Sequence, residues 1–564
     1  MRRPTTLIVL LGLGLTSPTS LTLTEAFLSG RSVVGGVAQI TKSLSRLSSQ
    51  SNPTTEGVVD ICVIGGGVAG LVAAITAADT YSKTRQSSSP LLSILLLETS
   101  DALGGRIRTD TSDGYILDRG FAVFVEDYPT SRRLLDYDAL DLRQFSPGAM
   151  VKLFGHDGCF TKVADPRRRP QDALMTVFSP VCGPLDKLRL LPLFITVLTK
   201  SVDELFTMTE TDAYSCLRST YGFSDDFINT FFAPFLEGIY LTPLHYQSSR
   251  MLHFILKMFA GGNASLPRGG MHAVVDQLSD RAVGLSVNIQ YESRVVKIKE
   301  VPLTSGSDGQ TGQYSVEVES SSNGIQIIQA RTIVVATDID AAQLLLVDQV
   351  DSLVGTIESS PPEELPPRRS VGCIYYAFQS PAPVIDPILI LNGEGGRDTT
   401  RRNTKDYPIN NVCFPSRVVE GYAPNGYELC SVVILENALA EHGNDNNSLD
   451  KAVRIQLATW FPDLSSDIID ETKWIRKEMY VIKNAQPANY HRGRDGCANV
   501  NGGRDCLTFR GESLPAGIFV CGDHMATATL NGALESGVNA GHAVVRVLSS
   551  TAIVELTSSN NIKA

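Results

Sequence analysis

The sequence predicts an α/β protein: a Rossmann-like, largely parallel sheet assembled from separated stretches of chain, with a mixed α+β region inserted between them. Three segments predict this, VVDICVIGGGVAG (Val58 to Gly70), GGRIRT (Gly104 to Thr109) and GIFVCGDHMATATLNGALESG (Gly517 to Gly537). Each is a weak signal alone; in this order they read as parts of one dinucleotide site.

Val58 to Ile64 is apolar except for Asp60, as in a strand buried on both faces of a parallel sheet. The backbone must then turn sharply. Gly65 permits the turn, Gly67 lets the main chain approach a pyrophosphate, and Gly70 lets the next helix, expected over Val68 to Ala78, pack on the strand. The unpaired N–H groups at the start of that helix, around Val68 and Ala69, face the phosphates. A second apolar run, Leu91 to Leu97, ends in Glu98, whose carboxylate can accept both hydroxyls of a ribose and would repel a 2′-phosphate. Glu98 lies 28 residues past Gly70, against about 20 in the usual motif. The polar stretch Tyr81 to Pro90 accounts for the excess as a longer loop. A glycine-rich turn that binds no nucleotide is the alternative for the glycines alone; strand, helix and acid in succession weigh against it.

The features beyond Glu98 separate FAD from NAD. TSDALGGRIRT frees the backbone at Gly104 and Gly105 and supplies a cation at Arg106. It resembles the GGRxxT signature of the flavin-containing amine oxidase superfamily, which includes protoporphyrinogen oxidases and carotenoid desaturases and isomerases. The resemblance implies an FAD domain of the discontinuous GR2 type, in which Gly105 and Arg106 meet the pyrophosphate. In LDRGFAVF (Leu117 to Phe124), it places Gly120 and Phe121 along the isoalloxazine ring. The C-terminal segment is similar to the closing motif of the superfamily: Gly522 and Asp523 follow a strand, and Asp523 is expected on the ribityl chain. The N–H groups near Leu530, Asn531 and Gly532 are expected at the flavin O2 edge, where a helix dipole favours negative charge. Ile289 to Ile298 matches a strand whose Val295 backbone contacts adenine, and Thr332 to Asp338 a strand returning to the sheet. Both are also generic strand sequences.

Departures narrow the resemblance. Cys521 precedes the Gly522–Asp523 pair, so the cysteine that anchors FAD covalently in monoamine oxidases is absent from its position. No active-site lysine can be placed, and Tyr375 and Tyr376 match the paired tyrosines of amine-oxidising members by residue type alone. His524 offers either a catalytic group or a supporting hydrogen bond. The stretch Gly114 to Met271, with FFAPFLEGIYL and the ASLPRGGM turn (Ala264 to Met271), is most similar to a plastid and bacterial branch of the superfamily. The sequence assigns no catalytic residue and no metal site.

The expected organisation is a signal peptide over 1–26, a transit-peptide-like segment over 27–56, an FAD domain from 57–125, 279–342 and 481–549, a substrate domain from 126–278 and 343–480, and a tail over 550–564. MRR followed by Leu7 to Leu15 is a basic region and an apolar run too short to span a bilayer. Phe27 to Thr55 holds Arg31, Lys42 and Arg46 and no acidic residue. The pair resembles the bipartite presequence of algal plastids enclosed by extra membranes; secretion is the alternative. Ten cysteines without a CxxC pair suit a reducing compartment better than a disulfide framework, although Cys497 and Cys506 flank a loop and could pair. A net charge of −11 argues against nucleic acid as a partner.

Polar stretches at Thr304 to Gln313, Gly393 to Thr404, His442 to Ser448 and Arg492 to Arg504 read as surface loops. Phe227 to Phe259 is dense in apolar residues at helical spacing and reads as helix core or as the lining of a hydrophobic pocket. Leu188 to Thr199 is apolar, holds Arg189 and Pro192, and is too short to span a membrane; peripheral contact with one stays open. The function expected is transfer of a hydride from a small hydrophobic substrate, carotenoid- or tetrapyrrole-like, to FAD. Amine oxidation with release of hydrogen peroxide, redox-neutral isomerisation and a non-catalytic flavin-binding scaffold are the alternatives.

Overall fold

The computed structural model describes residues 57–561, apart from 86–89, 122, 157, 165–166, 170–178, 302–313, 321–323, 348–368, 397, 444, 488–505 and 510–511. The expected targeting segments, the loops at 304–313 and 492–504, and Cys497 lie outside the described residues.

Two seven-stranded sheets carry the fold. Their strands in chain order are β1 (Val59–Ile64), β2 (Ile94–Leu97), β3 (Ala149–Lys152), β4 (Phe160–Val163), β5 (Asn288–Gln290), β6 (Ser293–Glu300), β7 (Tyr314–Ser320), β8 (Gly324–Val335), β9 (Arg369–Gln379), β10 (Leu389–Asn392), β11 (Ile409–Cys413), β12 (Tyr427–Leu435), β13 (Ile475–Gln486) and β14 (Ile518–Val520). Around them lie helices α1 (Val68–Thr84), α2 (Pro184–Thr199), α3 (Ala233–Tyr240), α4 (Ser249–Gly261), α5 (His272–Gly284) and α6 (Leu530–Asn561).

The first sheet runs β5–β2–β1–β8–β7–β6, with β14 also on β8. β5, β2, β1, β8 and β14 pair in parallel, whereas β6, β7 and β8 form an antiparallel meander. β8 belongs to both parts because its sequence, GIQIIQARTIVV, changes character midway. Its first half is part-exposed and pairs with β7; its end is buried throughout and lies between β1 and β14. α1, α5 and α6 bury Leu71, Ile75, Val274, Leu278, Leu534 and Val544 against one face. α6 approaches α1 unusually closely: a Cβ on Gly537 would lie 2.5 Å from Ala69 O, and one on Gly541 2.7 Å from Ala73 O. Two glycines one helical turn apart thus let the backbones touch. α6 continues to Asn561, so 550–561 is helix rather than a separate tail.

The second sheet runs β13–β9–β12–β11–β10–β3–β4, with only the β3–β10 pair parallel. β13 pairs with β9 from Ile475 to Gln486. The boundary expected between 480 and 481 therefore cuts a continuous strand. Continuous cross-strand bonding is strong cooperative structure, and no domain linker can run through it.

Phe227 to Phe259 is mainly helix core. A π-helical turn at Ile228–Phe232 leads into α3, and Phe227, Phe232, Leu236, Tyr240, Leu252 and Phe254 pack together. The stretch Gly393 to Thr404 departs from a plain surface loop. Gly393 to Gly396 is buried, and a Cβ on Gly396 would run into the Thr230 hydroxyl, so the glycines here serve close packing rather than solvent exposure. His442 ends one helix and Ser448 lies in the first turn of the next, with the His442 ring buried between Ser448 Oγ (3.0 Å) and Lys405 O (2.9 Å).

Candidate cofactor site

β1 ends at Gly65, whose φ of 110° and proximity to Ala336 exclude a side chain; a Cβ would lie 2.7 Å from Ala336 O. Gly66 then ties three pieces together. Its N–H donates to Glu98 Oε2 (2.8 Å), and its carbonyl accepts from Gly104 N (2.9 Å). Gly67 differs from both neighbours, because a Cβ there would meet nothing within 4 Å. It stands at the start of α1, which has no side-chain cap and no acidic residue in its first turn. Open space before the N–H groups of Val68, Ala69 and Gly70 is where an anion gains most from a helix terminus. Gly70 itself is a packing residue, since a Cβ would run into Gly65 O.

Two backbone N–H groups and a neighbouring hydroxyl orient Glu98. Oε2 takes Gly66 N, and Oε1 takes Ser100 N and Ser100 Oγ, both at 2.8 Å. A carboxylate has about four acceptor positions; two backbone N–H groups fill two of them, and the single proton of the Ser100 hydroxyl is shared with Ala102 O (2.7 Å), so the remaining positions are open to ribose hydroxyls. Ser100 is a local partner that the sequence reading missed: it lies two residues on and bonds back to the acid.

Gly104 and Gly105 take φ of 107° and 55° and turn the chain across Gly67, whose Cα would lie 3.9 Å from a Cβ on Gly105. The turn delivers Arg106 to Asp523. The guanidinium makes a two-bond fork with the carboxylate, Nη1 to Oδ2 and Nη2 to Oδ1, both at 2.7 Å, and Nη1 also donates to Ala485 O (3.0 Å). Burial raises the Asp523 pKa, but the Arg106 charge and hydrogen bonds outweigh it and hold the carboxyl below its ordinary range. Asp523 in turn raises the Arg106 pKa. The pair is ionised, and two residues expected to act on different parts of the cofactor are direct partners. Arg106 keeps 40 % of its side chain accessible against 9 % for Asp523. Three of its five donor directions are filled, which leaves two for a phosphate oxygen.

Gly522, at φ 149°, donates its N–H to Ser536 Oγ (2.9 Å), and a Cβ on it would lie 2.5 Å from the His524 ring. His524 is buried edge-on to Phe509 and packs over this turn. At the start of α6, Asn531 is buried and its Oδ1 accepts from Thr130 N (2.8 Å). Gly532 departs from expectation. Its N–H donates to Thr529 Oγ1 (3.1 Å), which caps the helix, so Leu530 and Asn531 carry the N–H groups left for an acceptor.

Gly120 takes φ 94°, and a Cβ there would lie 2.7 Å from Ile482 Cδ1. Half-buried Phe121 and Ile482 pack on the apolar group Leu241, Val371, Val433, Leu435 and Ala485. Ala485 is the residue whose carbonyl holds Arg106, so this apolar patch adjoins the ion pair. Val295 is buried on β6 at an irregularity of the ladder, two residues after Ser293, whose N–H bonds to Glu98 O (2.9 Å). Tyr375 and Tyr376 do not form a pair facing the site. Alternation along β9 sends them to opposite faces, with Tyr375 donating to Asp118 O (3.0 Å) and Tyr376 to Asp450 Oδ1 (2.8 Å) in the far core.

The sequence reading also missed Asp118. This buried carboxylate accepts from Thr109 Oγ1 (2.5 Å) and Met271 N (2.8 Å), joining the GGRIRT and PRGGM turns, and shares the Tyr422 hydroxyl (3.2 Å) with Pro267 O. Burial pushes its pKa up, against these bonds.

A model of the family described as flavin containing amine oxidoreductase matches residues 68–545. The chain belongs to that family. As a flavin containing amine oxidoreductase it is an FAD-dependent oxidoreductase, and the open Gly67, the uncapped α1 terminus and the part-exposed Arg106 fit the diphosphate of that cofactor. Solved structures share the fold of this flavin containing amine oxidoreductase. A putative protoporphyrinogen oxidase from Exiguobacterium sp. 255-15 is 15% identical with a TM-score of 0.55, covering 86% of this chain and 98% of that one. Wild-type putrescine oxidase bound to putrescine is 14% identical with a TM-score of 0.55 over 86% and 99%. Cyclohexylamine oxidase from Brevibacterium oxydans is 14% identical, with a TM-score of 0.55 over 87% and 100%. No curated protein matches the sequence.

Proposed function

We propose that this FAD-dependent oxidoreductase removes a hydride equivalent from a hydrophobic organic substrate of carotenoid- or tetrapyrrole-like chemistry, and that it works in a plastid. The observation that carries the substrate class is the apolar surface beside the Arg106–Asp523 pair. Phe231, Phe235 and Ile239 recur at four-residue intervals through the π-helical turn and α3 and stay half-buried. They share one apolar cluster with Val123 and Leu530, next to the Phe121–Ile482 patch. Gln486 Nε2 donates to Ile239 O (2.9 Å), which ties this stripe to the residue following Ala485. The carboxylate of this neighbourhood, Glu237, is engaged by Arg402 (3.1 Å) and by Leu244 N. Among the described residues of this neighbourhood a cationic amine would therefore meet a carboxylate already engaged, whereas an apolar substrate would lose water against the stripe.

When bound, FAD supplies a two-electron acceptor. The chain would bind and orient it: the α1 terminus and Arg106 would hold the diphosphate, Glu98 the ribose, and Asp523 the ribityl chain. The α6 terminus at Leu530 and Asn531 places positive dipole where negative charge develops. Phe121, Leu241 and Ile482 exclude water from the substrate side. Plastid address rests on the sequence of residues 1–56 alone.

The test is anaerobic bleaching of the bound flavin by carotenoids, porphyrinogens and amines. Bleaching by a carotenoid or porphyrinogen supports the proposal. Bleaching by amines alone, with hydrogen peroxide on readmitting air, makes the protein an amine oxidase. Bound flavin that no substrate reduces points to a scaffold, unless the reduced protein isomerises a carotenoid. A fluorescent protein carrying residues 1–56 should enter plastids; export from the cell would reverse the address.

A further inference from the structure

The outward face of α2 is apolar and open to solvent. Leu185, Leu188, Leu191, Ile195 and Leu198 keep 64, 72, 63, 53 and 46 % of their surface exposed. Their spacing puts them on one stripe of the helix, while Leu193 and Val197 on the opposite side are buried towards α4, whose Lys257 donates to Val197 O (3.1 Å). A helix on the surface of a soluble protein puts polar residues outward; here the outward stripe is the apolar one. The charges around it are cationic. Lys187 lies on α2, Lys200 caps its end, and Arg167 stands 5.8 Å over the Phe194 ring, whereas Arg189 is paired with Asp186 (3.6 Å). Asp186, the acid of α2, is buried and hydrogen-bonded by Ser224. Asp203 and Glu204 follow on the next helix, where Glu204 is drawn back to Ser201 N (2.6 Å).

We propose that this face docks in the plane of an anionic lipid bilayer. The apolar stripe enters the boundary between headgroups and acyl chains, and the cations meet lipid phosphates. Charge complementarity selects this occupant: the chain carries a net charge of −11, so a cationic rim around an apolar stripe is a local reversal that an anionic surface fits. A second copy seated on the same stripe would set these cations against their own kind. The 16 residues of α2 span about 24 Å, less than the roughly 30 Å hydrocarbon core, and no described helix is long and apolar enough to cross a membrane. The inference stands on the exposed face and not on the substrate reading.

The test is flotation of the full chain with vesicles of phosphatidylcholine and phosphatidylglycerol, and with phosphatidylcholine alone. Wild type should float with the anionic vesicles. Leu188→Glu with Ile195→Glu should weaken binding by about tenfold or more, and Lys187→Gln with Lys200→Gln by roughly fivefold per charge, with less sensitivity to salt. Retained flavin absorbance reports folding, and Leu191→Gln serves as a milder variant should the double one misfold. Unchanged flotation in all variants would assign binding to another segment and overturn the proposal. A wild-type dimer in sedimentation, dispersed by the same glutamates without any vesicle binding, would overturn it in favour of self-association.

Discussion

Gly67 and Gly70 belong to one short motif, yet their surroundings demand glycine for different reasons. A Cβ at Gly67 meets no protein atom within 4 Å, whereas one at Gly70 runs into Gly65 O. Gly67→Val should therefore fold with the melting temperature of wild-type apoprotein and retain FAD poorly, because its methyl groups occupy the space before the α1 terminus. Gly70→Ala should lose about 1–3 kcal/mol of stability by overpacking, with or without flavin. Calorimetry of the two apoproteins distinguishes these outcomes; equal destabilisation would contradict the assignment of Gly67 to the cofactor. Arg106→Ala should also purify largely without flavin, and wild-type retention would remove Arg106 from the site. The Arg106–Asp523 pair has a pH signature. Because the folded Asp523 pKa is depressed by Arg106 against the effect of burial, the stabilisation is present above the unfolded value, about 3.9, and is lost as pH falls through the lower folded value. The difference in apoprotein melting temperature between wild type and Asp523→Asn should shrink below about pH 4; a constant difference would mean that the pair contributes nothing through ionisation.

Helices and turns hold the site through contacts that span the chain. The close seam between α1 and α6 depends on Gly537 and Gly541, and Gly541→Leu should separate the helices, lowering stability by about 1–3 kcal/mol and loosening the turn at Asp523. Asp118→Ala should cost a similar amount, about 1–3 kcal/mol, by leaving Met271 N–H and the Thr109 hydroxyl without their acceptor. Urea unfolding at constant flavin occupancy measures both. Neither feature was legible beforehand. Gly537 and Gly541 look like ordinary helical residues until α1 lies beside them, and Asp118 looks like a strand end until Tyr422 arrives from 304 positions away. Legible elements were those whose chemistry is local: the apolar β1, the glycine turn and the acid ending β2.

At the scale of the molecule, the order of segments along the chain was enough to place it in an α/β class and a flavin family, and the family match over 68–545 agrees. The division into regions was harder to read. β13 carries both Ile482, against Gly120, and Ala485, bonded to Arg106, although its whole length belongs to the second sheet. One strand of the second sheet thus reaches both Gly120 and the turn that carries Arg106, and hydropathy has no mark for that.

The sequence by itself determined the kind of site. A strand, a glycine turn and a helix terminus bind diphosphate by backbone geometry, and backbone geometry follows from glycine placement within a dozen residues. The tertiary structure decided the partners: that Arg106 faces Asp523, that Gly532 N–H belongs to Thr529, that Gly66 N–H holds Glu98, and that α2 turns its leucines outward. Those facts depend on which side chains meet across hundreds of residues, and a hydrogen bond or an exposed face exists only once packing has fixed both sides of it.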